Sequence, residues 1–374
     1  MNLDEVLKSD KKVKTISFEE DIVIYGAGNF GRLCVSILKK EGYKVIYFVD
    51  KDKYKYQEYI DDIKVLSIKS EELQAKKNNL ICVMGIFNAY VDLAIIEKEL
   101  LLSFKEVINP LSFYDLFCEE IGDYFWLSKK DNYLKNRYMI SKAYESFEDE
   151  YSKELFENIL KYRFSNDLNT IYKPQNVKTQ YFPEDINCVY PSLKFLDCGA
   201  YNGDTILKIL DNNMSISSYI GFEPDIQNVK LLSKNLRNKI KIESYIYPCG
   251  VWNETDKLRF NGGTGSSSHI DSMGNDIINV VSIDEVIINK DVNFVKMDIE
   301  GAEVEALNGA KELISKYEPI LAISAYHKYD DLWTILETIN SFNVEYKYFM
   351  RMYEYNGFEI VYYAIPKKYL KNKG

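Results

Sequence analysis

KFLDCGAYNGDTILKIL, residues 194–210, reads as an apolar strand ending in Asp197, a turn holding Gly199 and Gly203, and a helix that Asp204 or Thr205 would cap. The turn is G-x-x-x-G, with no third glycine at dinucleotide spacing, and it suits a ligand without phosphates. Backbone at Gly199, Ala200, Tyr201 and Gly203 can lie close beneath an amino-acid tail, with Asp197 near its ammonium group. Downstream, YIGFEPD (219–225) is a second strand ending at Glu223 and Pro224, where a carboxylate can accept both hydroxyls of a ribose. A third strand, NFVKMD (293–298), ends at Asp298 and runs into IEGAEVEALNGAKELI, with Glu300 beyond the strand end and Glu303 on the first helical turn. Open α/β sheets keep their reacting groups at such strand ends. Acidic residues at two adjacent strand ends suit a cationic adenosyl ligand better than a pyrophosphate.

The 374 residues suggest two domains, and 46% hydrophobic with 28% charged residues is ordinary for chains with packed cores. A formal net charge of −10 argues against a binder of nucleic acid, which gains affinity from clustered Lys and Arg. The first residues, MNLDEVLKSDKKVK, hold no apolar stretch of the kind an export signal requires, and no window approaches a membrane span, so a cytoplasmic protein is expected. Cys34, Cys82, Cys118, Cys188, Cys198 and Cys249 form no C-x-x-C pair, so neither a zinc site nor a disulfide framework is indicated. The two histidines, His269 and His327, argue against a His-rich metal centre.

A second glycine turn lies near the start of the chain. DIVIYGAGNFGRLCVSILKKEGYKVIYFVD (21–50) is a βαβ unit with Gly26, Gly28 and Gly31 at the turn, Asn29 and Phe30 between them, and Asp50 closing the second strand. A nucleotide, either NAD or a nucleotide sugar, is one reading of this turn. Glycines that serve only tight packing in a Rossmann-like scaffold are the other. After NNLICVMGIFNAY (78–90) and a helix over 90–102 the half ends at EVINPLSFYDLF, too short for a full dehydrogenase domain and followed by no catalytic pair. From there the chain turns charged and Tyr-rich, with a helical pattern through 141–164. The expected organisation is a Rossmann-like domain over 1–117, a helical connector or cap over 118–184, and a catalytic domain over 185–374.

Taken in order, LDCGAYNGDT, GFEPD, GGTGSSSHID, VKMDIEGAE, ISAYHK and EYKYFMRMYEYNGFEIVYYAIP resemble the FkbM family of methyltransferases, over about half the chain. DIEGAE is the most specific block. The first half resembles the small Rossmann-like domain attached to some bacterial polysaccharide-biosynthesis proteins. The FkbM resemblance implies a class I methyltransferase fold, a mostly parallel seven-stranded sheet with a final antiparallel hairpin, S-adenosylmethionine as cofactor, and O-methylation of sugar hydroxyls in surface-polysaccharide or flagellar-glycan assembly. The hairpin is legible independently as two β-rich runs around Asn356 and Gly357.

A sugar hydroxyl is a poor nucleophile until its proton leaves, so a general base is sought, and Asp298 and His327 are the candidates. His327 follows the apolar strand ILAIS, and an ordinary imidazole titrating near ~6.5 would serve. Glu300 and Glu303 would orient Asp298, hold substrate hydroxyls, or join Asp298 in binding a divalent ion of the Mg²⁺ type. Ser266 and Ser267, in the Gly/Ser-rich loop with His269, would contact the cofactor's carboxylate or simply make turns. The acceptor is expected to be a small molecule or glycan-linked group. N-methylation of an amino substituent, a noncatalytic nucleotide-sugar scaffold and a dehydrogenase using the first glycine turn are the competing readings. Oligomeric state is left open, a homodimer included.

Overall fold

The computed structural model describes residues 5–6, 15–51, 58–237, 239, 241–261, 269–270, 274 and 276–371. The chain divides into two compact units. The first comprises Met1–Lys135, Glu157–Lys173 and Glu354–Phe358, and the second comprises Asn136–Phe156, Pro174–Tyr353 and Glu359–Gly374.

In the first unit, strands β1 (Asp21–Tyr25), β2 (Lys44–Asp50), β3 (Tyr59–Ile60), β4 (Ile63–Ser67), β5 (Ile81–Met84) and β6 (Glu106–Ile108) form one sheet in the order β3-β4-β2-β1-β5-β6, parallel except for the β3–β4 pair. The apolar runs Ile22–Ile24 and Ile81–Met84 are wholly buried, as a parallel sheet covered on both faces requires. Helix α1 (Asn29–Lys40) follows the glycine turn. Helix α2 (Leu93–Leu101) is capped by Asp92, whose carboxylate accepts from the amides of Ala94 and Ile95.

The second unit holds a seven-stranded sheet of β7 (Leu193–Cys198), β8 (Ile216–Phe222), β9 (Glu243–Tyr247), β14 (Phe294–Met297), β15 (Ile320–Ser324), β16 (Tyr346–Met352) and β17 (Ile360–Pro366). Their order is β9-β8-β7-β14-β15-β17-β16, with β17 antiparallel to both neighbours. This is the expected class I methyltransferase arrangement. An unforeseen four-stranded sheet, β10 (Gly250–Val251), β11 (Asp256–Asn261), β12 (His269–Ile270) and β13 (Asp276–Val281), is inserted between β9 and β14. The Gly/Ser-rich stretch falls between β11 and β12 in the sequence, and Ser266 and Ser267 fall outside the described residues.

Two sequence expectations change. Helix α5 (Asp204–Asp211) is not capped by the side chain of Asp204 or Thr205: Gly203, at φ +84°, takes the cap position without a side-chain bond, and Thr205 is buried. The segment 118–184 is not a separate connector but is shared between the units, because aromatic and ionic anchors claim different parts of it. In the first unit the Arg163 guanidinium lies 4.9 Å from the buried Trp126 ring, and Tyr133 donates to the Trp126 carbonyl. In the second, buried Arg351 donates to Asp149, Ser152 and Asp185, at 2.7, 2.9 and 2.8 Å. The helical pattern over 141–164 belongs to two helices, α3 (Arg137–Ser146) and α4 (Glu150–Ser165), broken where Asp149 accepts from the Ser152 amide.

A Cβ on Gly31 would lie 2.0 Å from the Gly26 carbonyl oxygen, whereas one on Gly28 would meet nothing within 4 Å. Gly31→Ala is therefore expected to destabilise the first unit by ~1–3 kcal/mol, and Gly28→Ala by less than ~0.5 kcal/mol. Hydrogen exchange over residues 21–50 checks this; equal protection in the two variants would refute the packing account.

Candidate active site

The C-terminal ends of β7, β8, β14 and β15 bring most of the expected residues together, and a lysine organises them. Lys296 stands directly opposite Asp197 in the β14–β7 register. It is buried, donates to the Gly199 carbonyl at 2.6 Å, and its ammonium lies 3.3 Å from Asp197 and 4.0 Å from Asp298. Asp197, fully buried, also accepts from Tyr219 at 3.2 Å. Gly221 allows this contact, since a Cβ there would lie 2.5 Å from the Tyr219 hydroxyl. Burial raises the Asp197 pKa to about 6, against the pull of Lys296. Asp197 is thus held as half of a buried ion pair with Lys296.

The turn itself is fixed from both sides. Gly199 and Ala200 donate to the Phe222 carbonyl, and Gly203 donates to that of Ala200. A Cβ on Gly199 would lie 2.0 Å from the Asp298 carbonyl oxygen, so only glycine lets the ends of β7 and β14 approach this closely. Glu223, at the end of β8, accepts from the Tyr201 amide at 2.9 Å with one oxygen, and from the Asp225 amide and the Asn228 side chain with the other. Burial raises its pKa despite these donors. Oε1 accepts two of these bonds and Oε2 only one, so Oε2 retains a lone pair and with it acceptor capacity beside the turn. Pro224 is half-buried at the same corner, and Asp204 is half-exposed and pairs with Lys208 at 3.6 Å.

Around the end of β14 lies a cluster of acids and one imidazole. Tyr181 donates to Asp298 at 3.0 Å. His327, buried just past β15, places Nδ1 2.9 Å from Glu303 Oε1, which also accepts from the Ile299 amide. Its Nε2 lies 3.6 Å from Asp298 and 3.7 Å from Glu300. Glu300 sits at φ +54° and Gly301 at φ +93°, so the loop after β14 is held in the left-handed region. Burial opposes charging of His327, yet Glu303, Glu300 and Asp298 outweigh it and hold the pKa well above the ordinary imidazole value expected from sequence. Burial pushes Asp298 up, but Lys296 and His327 bring it below its usual range, while burial raises Glu300 to about 7. Glu359, also raised to about 7 by burial, accepts from Tyr326 and Gln180, both at 2.7 Å.

A methyltransferase FkbM domain model matches residues 197–359, spanning the turn, Glu223, Asp298, His327 and Glu359. A PglD N-terminal domain model matches residues 21–98. The solved structure of methyltransferase FkbM from Methylobacillus flagellatus KT aligns over 97% of this chain and 93% of its own, with a TM-score of 0.76 at 22% identity, and shares its fold. Precorrin-6y C5,15-methyltransferase from Geobacter metallireducens GS-15 aligns over 48% of this chain and 82% of its own, with a TM-score of 0.31 at 14% identity. No curated protein matches the chain.

Sequence reasoning missed four contributors to this site. Lys296 carries a signal, a lysine inside the otherwise apolar run FVKM. Tyr181, Tyr326 and Glu359 carry none, because the linear sequence does not show that their side chains meet at the strand ends. In the N-terminal match the glycine turn is largely accounted for by packing. A Cβ on Gly26 would lie 2.6 Å from Ile86 and one on Gly85 2.7 Å from Gly31. Phe30 packs against Phe87, Phe113 and Tyr124, and Asp50 accepts from the Ala27 amide at 3.0 Å. Gly28 and Asn29 are exposed.

Lys296→Met leaves Asp197 buried without its cation and is expected to cost ~3–5 kcal/mol of stability. The double variant Asp197→Asn/Lys296→Met is expected to recover at least half of that loss. Urea unfolding of the three proteins measures both, and a double variant no more stable than Lys296→Met would contradict the pairing.

Proposed function

We propose that the chain is an S-adenosylmethionine-dependent methyltransferase that O-methylates a sugar or glycan-linked hydroxyl. The observation that carries the cofactor assignment is the fixed turn Gly199–Gly203 beside Glu223, a carboxylate with acceptor capacity at the next strand end. In this reading Gly199, Ala200, Tyr201 and Gly203 cradle the methionine tail, and Glu223 accepts the ribose hydroxyls. Asp197 acts from below, through Lys296, by keeping the turn in place.

Methyl transfer breaks the sulfonium carbon–sulfur bond as the acceptor oxygen forms a bond to the methyl carbon, and the hydroxyl proton passes to the enzyme. Alignment of the two reactants can supply ~7–11 kcal/mol. Asp298 is the proton acceptor in this reading, because Lys296 and His327 favour its ionised form and its side chain is partly exposed at the strand end. The raised pKa of His327 leaves its imidazole charged at neutral pH unless another cation takes the proton's place, so it serves the reaction by holding Asp298 and Glu300. The PglD-type N-terminal match accords with an acceptor from sugar biosynthesis.

Calorimetric titration with S-adenosylhomocysteine tests the cofactor assignment. The wild-type protein is expected to bind in the micromolar range, and Glu223→Ala to bind about tenfold to hundredfold more weakly, the loss of one or two charged hydrogen bonds. Absence of binding, with NADH or a uridine-diphosphate sugar bound instead, would contradict the assignment.

A further inference from the structure

Three carboxylates surround one buried imidazole, and the hydrogen bonds leave one of its nitrogens over. The Nδ1–Glu303 contact at 2.9 Å aims the ring, and Glu303 is itself anchored by the Ile299 amide at 2.9 Å. His327 Nε2 is buried and has no hydrogen-bond partner among the described residues. It faces Asp298 Oδ1 and Glu300 Oε2 at 3.6 and 3.7 Å, beyond hydrogen-bond range. Two atoms bound at ~2.1 Å to one ion are separated by roughly 3.0–3.5 Å, and each of these two pairs lies within a few tenths of an ångström of that spacing. Ligand-type atoms of Asp298, Glu303 and His327 all lie within 4.8 Å of one another.

We propose that His327 Nε2, Asp298 and Glu300 form a binding site for one first-row divalent cation, with Glu303 as the outer carboxylate that orients the imidazole. A carboxylate on the far nitrogen of a metal-binding histidine fixes the tautomer and strengthens the ligand. Lys296 does not fill this place, because its ammonium is engaged by Gly199 and Asp197. Asp298 and Glu300 have side chains 26% and 24% exposed, which gives the ion a way in. One imidazole with two carboxylates favours Mn²⁺, Co²⁺ or Zn²⁺ over the all-oxygen, water-rich shell of Mg²⁺ expected from the acids alone. Cation binding stands on this geometry by itself; that the ion would draw an acceptor hydroxyl toward ionisation rests on the function proposed above.

Chelator-treated full-length protein titrated with Co²⁺, followed by calorimetry and visible d–d absorption, tests the site. One equivalent is expected to bind with micromolar affinity. His327→Gln and Asp298→Asn are expected to bind at least about a hundredfold more weakly, Glu303→Gln about tenfold to hundredfold more weakly, and the exposed control Glu254→Gln as the wild type. Circular dichroism establishes that each variant is folded, and two ligand variants guard against the failure of one. Absence of binding to folded wild-type protein, or equal binding by His327→Gln and Asp298→Asn, would overturn the site. A parallel titration with S-adenosylhomocysteine separates the two claims: retained cofactor binding without Co²⁺ binding overturns the cation site alone.

Discussion

The second unit is organised around the charge on Lys296. An ammonium with no solvent to stabilise it must find anions, and here it meets Asp197 across the β7–β14 register and Asp298 at the strand end. Its bond to the Gly199 carbonyl ties the glycine turn to β14. Three motif blocks that are about a hundred residues apart at their extremes, LDCGAYNGD, GFEPD and VKMDIEGAE, thus become one construction, with Tyr219 and Gly221 completing it on β8. Electrostatic pairing of this kind does not necessarily add net stability over apolar packing. It does specify which strand end sits beside which, and the site requires that.

From this centre outward, acid–base character is graded. Asp197 is sealed away, Asp298 is ionised and partly exposed, and Glu300 and Glu359 stand near neutrality through burial. Such divergence among neighbouring carboxyls is what allows some to accept protons while others hold position. His327, between Glu303 and the Asp298–Glu300 pair, compensates the excess negative charge either as an imidazolium or through a bound cation.

Much of this was legible in the sequence because strand ends in parallel sheets are marked by an apolar run that stops at an acid. Asp197, Glu223 and Asp298 were found in that way, and the apolar run before His327 placed it on the same edge. The role of Asp197 was not legible, since an acid facing a ligand and an acid paired underneath look alike until the opposing strand is known. Tyr181 and Glu359 were hidden for a related reason: each reaches the site only through tertiary packing. The inserted sheet of β10–β13 was obscured by the Gly/Ser-rich stretch between β11 and β12, which reads locally as turns. In the N-terminal unit the G-x-G-x-x-G spacing left two readings open, and side-chain clearance accounts for Gly26 and Gly31 by contacts invisible in one dimension.

The most direct measurement of the central claim is a crystal structure of the protein with S-adenosylhomocysteine. The account predicts the amino-acid tail over Gly199–Gly203, the ribose hydroxyls within hydrogen-bonding distance of Glu223, and the sulfur facing Asp298 and His327. A ligand bound elsewhere, or a turn that stays free of ligand at saturating concentration, would contradict it.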